Sequence, residues 1–185
     1  IGIALKKMSR LSVSEVVTPN NVAMELVNNL PDDICASDKF LDIASKTGEF
    51  ANALLQKYGE KIMKNVYSIP TSGVTYECTR KIYKLLGMPV EHIYSDFTSY
   101  DLIDTTKNEE ILKELKDMNF DAIIGNPPYQ VMDGGAQASA RPIYNDFVDF
   151  SEKVDPHLVS IIMPSRWYAG GKNLDEFRNK MLNDI

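Results

Sequence analysis

The stretch Phe120-Asp121-Ala122-Ile123-Ile124-Gly125-Asn126-Pro127-Pro128-Tyr129-Gln130 decides how the chain folds. Asp121 to Gly125 reads as a short buried strand, and the four residues after it read as a site. Two consecutive prolines fix two φ angles and remove two backbone donors. Asn126, which precedes a proline, is pushed towards an extended conformation. What the corner presents is therefore acceptors: the Asn126 side-chain oxygen and the carbonyls of Asn126 and Pro127. Tyr129 adds a flat aromatic face. A rigid group of acceptors beside a ring suits a planar amino group, such as the exocyclic amine of a nucleobase. The competing reading is a Pro-Pro that only ends a strand and starts a turn.

Outward from this strand, strand and helix patterns alternate. Lys39 to Ile43 reads as the first strand and runs into Asp42-Ile43-Ala44-Ser45-Lys46-Thr47-Gly48-Glu49-Phe50. A helix follows, with Phe50, Ala53, Leu54 and Tyr58 near one face. Strand, small-residue turn and helix form the ligand-cradling arrangement of doubly wound sheets. The P-loop spacing is absent. Asn65 to Ile69 reads as the second strand. Such sheets often carry an acid at its end for ribose hydroxyls, but here the residues are Ser68-Ile69-Pro70-Thr71-Ser72. Thr75 to Leu86 reads as a helix with Cys78, Ile82, Leu85 and Leu86 inward, stopped by Gly87 and Pro89. Glu91 to Ser95 is the expected third strand, ending at Asp96-Phe97, and residues 101–119 a loop and an amphipathic helix. After the fourth strand and its corner, Gln130 to Ala140 reads as a mobile loop at the mouth of the site. Pro142 then starts a helix with Ile143, Phe147, Phe150 and Val154 on one stripe, and Arg141 meets either a phosphate or Asp146. Leu158 to Met163 is a continuous apolar fifth strand, the pattern of one buried on both faces. Leu174, Phe177, Met181 and Leu182 mark a final helix. Five strands alternating with helices predict an α/β fold with a doubly wound, mostly parallel sheet and right-handed crossovers.

Asn126-Pro127-Pro128-Tyr129 resembles the catalytic motif of S-adenosylmethionine-dependent amino-methyltransferases, most often DNA N6-adenine methyltransferases. The order of motifs resembles the gamma class of the restriction–modification type. That resemblance implies a Rossmann-like class I methyltransferase fold with strand order 3-2-1-4-5, ending before a sixth and a seventh strand. Asp42, Ala44, Gly48 and Phe50 match the family's first cofactor motif, while Lys46 stands where a glycine is common. Lys46 then either meets the cofactor's carboxylate, so that Lys46→Ala weakens binding, or is simply exposed. By the same resemblance Thr18-Pro19 contacts the methionine part of the cofactor; the plain alternative is a helix capped by Thr18 with Pro19 in its first turn. Ile69 packs on the cofactor's adenine, Thr71 offers a hydroxyl, Asp96 accepts from the adenine amine and Phe97 packs beside it, with a loop or cap role the alternative for Asp96. Pro164-Ser165-Arg166-Trp167 resembles a segment near the substrate cleft, against a reading of Trp167 and Tyr168 as core anchors. The implied reaction is methyl transfer to N6 of a flipped adenine in DNA, whose extrusion costs roughly a few kcal/mol. Asn126 and the Pro127 carbonyl would hold the amine, Tyr129 would stack on the base, and positioning supplies most of the rate. Two other readings are protein-glutamine methylation, whose enzymes share the Asn-Pro-Pro-Tyr, and a non-catalytic cofactor-binding scaffold.

The bulk properties suit one catalytic domain at 18–185, after an arm at 1–17 whose Lys6, Lys7 and Arg10 form a solvated face. The 185 residues are 44% hydrophobic and 25% charged, values of a soluble globular chain. No run reaches membrane-span length. The net charge of -6 is a poor footprint for gripping DNA alone. We therefore expect a catalytic-domain fragment whose target-recognition region, and any fused or partner endonuclease, lies elsewhere. Cys35 and Cys78 lack metal-ligand spacing and read as two buried free thiols in the reducing cytoplasm. His92 and His157 receive no chemistry, and no metal site is expected.

Overall fold

The computed structural model describes residues 15–132, 140–171 and 174–183. Its centre is a parallel sheet of β1 (Phe40–Ser45), β2 (Val66–Pro70), β3 (Ala122–Gly125) and β6 (Leu158–Ile161), in the order β2-β1-β3-β6. Ile93 adds a single parallel bridge to Ser68 on the outer side of β2. The order 3-2-1-4-5 therefore holds, with the third position reduced to one bridge. The expected strand at Glu91–Ser95 does not form; Val90–His92 is a tight helical turn. Pro89 supplies a fixed φ and no amide hydrogen just where the strand would begin. His92 closes the same edge by stacking on Tyr67, with centroids 4.0 Å apart.

Successive strand side chains project to opposite faces, and here both faces are covered. Phe40, Val66, Ala122 and Ile124 join α1 (Asn20–Asn28), α2 (Glu49–Tyr58) and α3 (Gly73–Leu86) in one core. Leu41, Ile43, Ile69 and Ile123 join α4 (Asn108–Asp117) and α5 (Tyr144–Val154) in the other. That two-sided burial is why the central strands read as near-continuous apolar runs.

The structure corrects several expectations. In α3 the buried stripe is Thr75, Thr79 and Tyr83, and Leu85 is 65% exposed. Polar partners turn this face inward: Thr79 Oγ1 meets Ser45 Oγ at 3.1 Å and the Tyr83 hydroxyl meets Ser68 Oγ at 2.8 Å. Ser72 caps α3 through a capping box with Thr75. At α1, Pro19 occupies the cap position and Thr18 makes no cap bond. Leu158–Ile161 is only half-buried along its length, since no strand among the described residues pairs with its outer side. Cys35 is exposed and Cys78 half-buried. The segment expected to be a mobile loop begins and ends as an antiparallel ladder between β4 (Gln130–Met132) and β5 (Ala140–Pro142); residues 133–139 lie outside the described set. Arg141 pairs with Asp146 at 3.2 Å. The last helix, α6 (Asp175–Asn183), seats Phe177 with Trp167 and Leu174 against Tyr144 and Val148 of α5. Trp167 is buried and Tyr168 is 59% exposed, so only the tryptophan anchors this small core.

Candidate active site

Ligand crevices of doubly wound sheets open at the carboxyl ends of the strands. At that edge β1 and β3 lie side by side, and their loops meet. Gly125, the last residue of β3, has φ 156°, a conformation that side chains rarely adopt. A Cβ there would lie 3.2 Å from Ile43 Cγ1, so only glycine lets the chain leave β3 hard against β1. Asn126 follows, 5% exposed. Its Nδ2 donates to Thr18 Oγ1 at 3.1 Å, and its backbone carbonyl accepts from Lys46 Nζ at 2.5 Å. Its Oδ1 is buried without a partner. Pro127 and Pro128 are buried and Tyr129 is half-buried against the Trp167 and Phe177 cluster. Burial pushes the Tyr129 phenol above its ordinary value, with the Asn126 amide opposing.

The middle of β1, the loop after it and the first turn of α2 supply the charges. Asp42 is fully buried; its Oδ1 accepts from the Ala44 amide at 3.1 Å, and its Oδ2 has no partner. Burial, and then the charge of Glu49, push its carboxyl up to about 8. Lys46 is 1% exposed, which excludes the solvent-exposed reading. Besides Asn126 it reaches the Ala44 carbonyl at 3.4 Å. Burial lowers its pKa against the opposing pull of Glu49, Asp42 and Glu15. Glu49, in the first turn of α2, accepts from Thr47 N–H at 2.8 Å, Thr47 Oγ1 at 3.2 Å and Thr18 N–H at 3.5 Å. Gly48 before it has φ 67° and lies against Ile82 of α3.

The buried Glu49 and Glu15 thus outnumber the one ammonium between them, and Asn126 Oδ1, just past the end of β3, lacks a donor. A buried acceptor left unpaired costs about 1–3 kcal/mol. Both features favour a ligand that carries positive charge and N–H or O–H donors.

The other expected site residues divide into two groups. Thr18, Asp42, Lys46, Gly48 and Asn126 gather at this edge. Thr71, just past β2, donates to Glu15 Oε2 at 3.2 Å. Pro19 is exposed at the start of α1. Ala44, Phe50 and Ile69 are core residues with essentially no exposed surface. Asp96 is exposed and accepts from Ser95 Oγ, and Phe97 packs on Tyr94 at 4.8 Å between centroids. Sequence reasoning missed Glu15, which is 7% exposed and also accepts from the Tyr100 hydroxyl at 2.9 Å. Nothing in its local run, Ser12-Val13-Ser14-Glu15, marks an acid that will be buried.

Residues 64–185 match the family model described as the Eco57I restriction-modification methylase. A Mycoplasma pneumoniae protein named as an uncharacterized adenine-specific methylase is 37% identical over 59 residues, 31% of this chain and 14% of that protein. Two crystal structures share the fold. A modification subunit of a putative type I restriction enzyme from Vibrio vulnificus YJ016 superposes with TM-score 0.68 at 15% identity, over 97% of this chain and 41% of its own. A type I restriction-modification system methyltransferase subunit from Streptococcus thermophilus gives 0.60 at 20%, over 98% and 41%. The chain thus spans well under half the length of each relative, and its sheet has the class I methyltransferase fold.

Proposed function

Because the chain belongs to the Eco57I restriction-modification methylase family, we propose that it is the catalytic core of a site-specific DNA adenine methyltransferase, moving a methyl group to N6 of an adenine turned out of the duplex. The observation that carries this is Asn126 Oδ1: an acceptor buried just past β3, without a partner, on an amide oriented by Thr18 and a backbone held by Lys46. An amino group donating to it gains a hydrogen bond that the folded chain leaves unmade. The stiff Pro127-Pro128 segment keeps the next carbonyls from drifting. Tyr129 stands beside it to stack on the base.

The residues present fit S-adenosylmethionine. The buried Glu49 and Glu15 beside Lys46 suit its positive charges, and Asp42 Oδ2 is left unpartnered for it to bond. When bound, that group supplies an already activated methyl on a sulfonium. Thr18, Asp42, Gly48 and Asn126 would hold its methionine end, with Thr71, Asp96 and Phe97 towards its adenine. Lys46 has three donors, two of them committed to Asn126 and Ala44 carbonyls; the third remains for a carboxylate. Pro127 and Pro128 are covered in this structure, so base entry requires their surroundings to shift. DNA is held by regions beyond this chain, whose net charge is -6. Neither a restriction-modification family nor an adenine-specific relative favours glutamine methylation. Among the described residues no helix is long and apolar enough to cross a membrane.

The test is Asn126→Ala in the full-length enzyme. It keeps S-adenosylmethionine binding by calorimetry and loses roughly 10²-fold or more of methyl transfer to adenine-containing duplex DNA. Turnover at the wild-type rate refutes the proposal.

A further inference from the structure

We propose that Glu15, on the segment leading into α1, is the acid that holds the ribose hydroxyls of S-adenosylmethionine, in place of the strand-end acid that β2 lacks. The inference rests on the cofactor reading above and adds a residue to it. Doubly wound sheets bind a nucleotide ribose through an acid at the end of the second strand; here that strand ends in Ile69-Pro70-Thr71, with no carboxylate. The structure brings one from elsewhere. Glu15 Oε2 accepts from Thr71 Oγ1 at 3.2 Å, and Oε1 from the Tyr100 hydroxyl at 2.9 Å. Its carboxylate therefore sits between the end of β2 and the turn that follows Asp96-Phe97. A side chain rising from position 70 or 71 would deliver its own carboxylate to this same place.

Chemistry and reach both agree. An ionised carboxylate offers about four lone-pair positions, and Thr71 and Tyr100 take one on each oxygen. The remaining pair matches the two donors of a vicinal diol. Glu15 is 7% exposed, so it is held against the crevice and not displayed to solvent. Three residues on, Thr18 bonds Asn126 at the catalytic corner. Glu15 to Thr18 spans at most about 11 Å when extended, comparable to a ribose joined to an amino-acid chain. One short strap thus touches the end of β2 and the corner after β3.

The plain competitor is a staple: Glu15 fastening the arm to Thr71 and Tyr100 with no ligand role. Calorimetry on the full chain separates the two, using S-adenosylhomocysteine and its 2′,3′-dideoxy analogue as probes. The expected result is that Glu15→Gln weakens S-adenosylhomocysteine binding roughly 10- to 100-fold and leaves the dideoxy analogue within about twofold. Glu15→Asp keeps the charge but shortens the reach, and it shows the same selective loss; it carries the test if the glutamine variant does not fold. Equal weakening of both probes, or no weakening of either, overturns the assignment in favour of the staple. If the wild-type chain binds neither probe, the cofactor reading itself falls, and this inference with it.

Discussion

Replacing Lys46 with methionine tests how the site is held together. Methionine fills most of the volume of the lysine stem, so the change removes mainly the ammonium. Its loss leaves Asp42, Glu49 and Glu15 without their shared cation, and the Asn126 carbonyl without its donor at 2.5 Å. Breaking a buried ionic arrangement by deleting one partner costs about 3–5 kcal/mol, of which an orphaned carbonyl accounts for about 1–3. For a chain of this size each kcal/mol lowers Tm by roughly 2–4 °C, so the fall should be roughly 6–20 °C at neutral pH. The assay is thermal unfolding at pH 7 followed by circular dichroism. A fall below about 2 °C refutes the reasoning and leaves Lys46 as a packed side chain whose charge does nothing.

Asp42→Asn should act in the opposite direction. Burial holds the carboxyl of Asp42 at about 8 in the folded chain, far above the ordinary carboxylate range, so the wild type is favoured below pH 4 and loses stability as pH climbs towards 8. In unfolding scans the variant should match the wild type near pH 4 and pull ahead by at most about 1.4 kcal/mol per pH unit above it; a constant offset across the range rejects the mechanism. Trp167→Ala should cost about 3–5 kcal/mol in denaturant titration, because the ring is buried edge-on against Phe177 at 6.1 Å. Tyr168→Ala, at a 59% exposed position, should cost less than about 1 kcal/mol. Equal losses at the two positions would show that both rings anchor α6.

What the sequence determined by itself was whatever depends on neighbours along the chain. Alternating apolar runs and helical stripes dictate a doubly wound parallel sheet, because a strand covered on both faces must be apolar throughout. Asn126-Pro127-Pro128 declares a stiff, acceptor-rich corner, because proline acts on its own φ and on the residue before it. The tertiary structure decided everything that depends on contacts across the chain. Lys46 reads equally well as exposed or as a ligand group, and only the meeting of the β1 and β3 loops gives it a carbonyl 80 residues away. Thr79 and Tyr83 turn inward on α3 because Ser45 and Ser68 await them, which no periodicity rule can see. Glu15 lies in an unremarked polar run and becomes a buried acid only when the segment before α1 folds over the end of β2. Local backbone rules are printed in the order of residues, whereas burial and charge pairing follow the distances that folding creates.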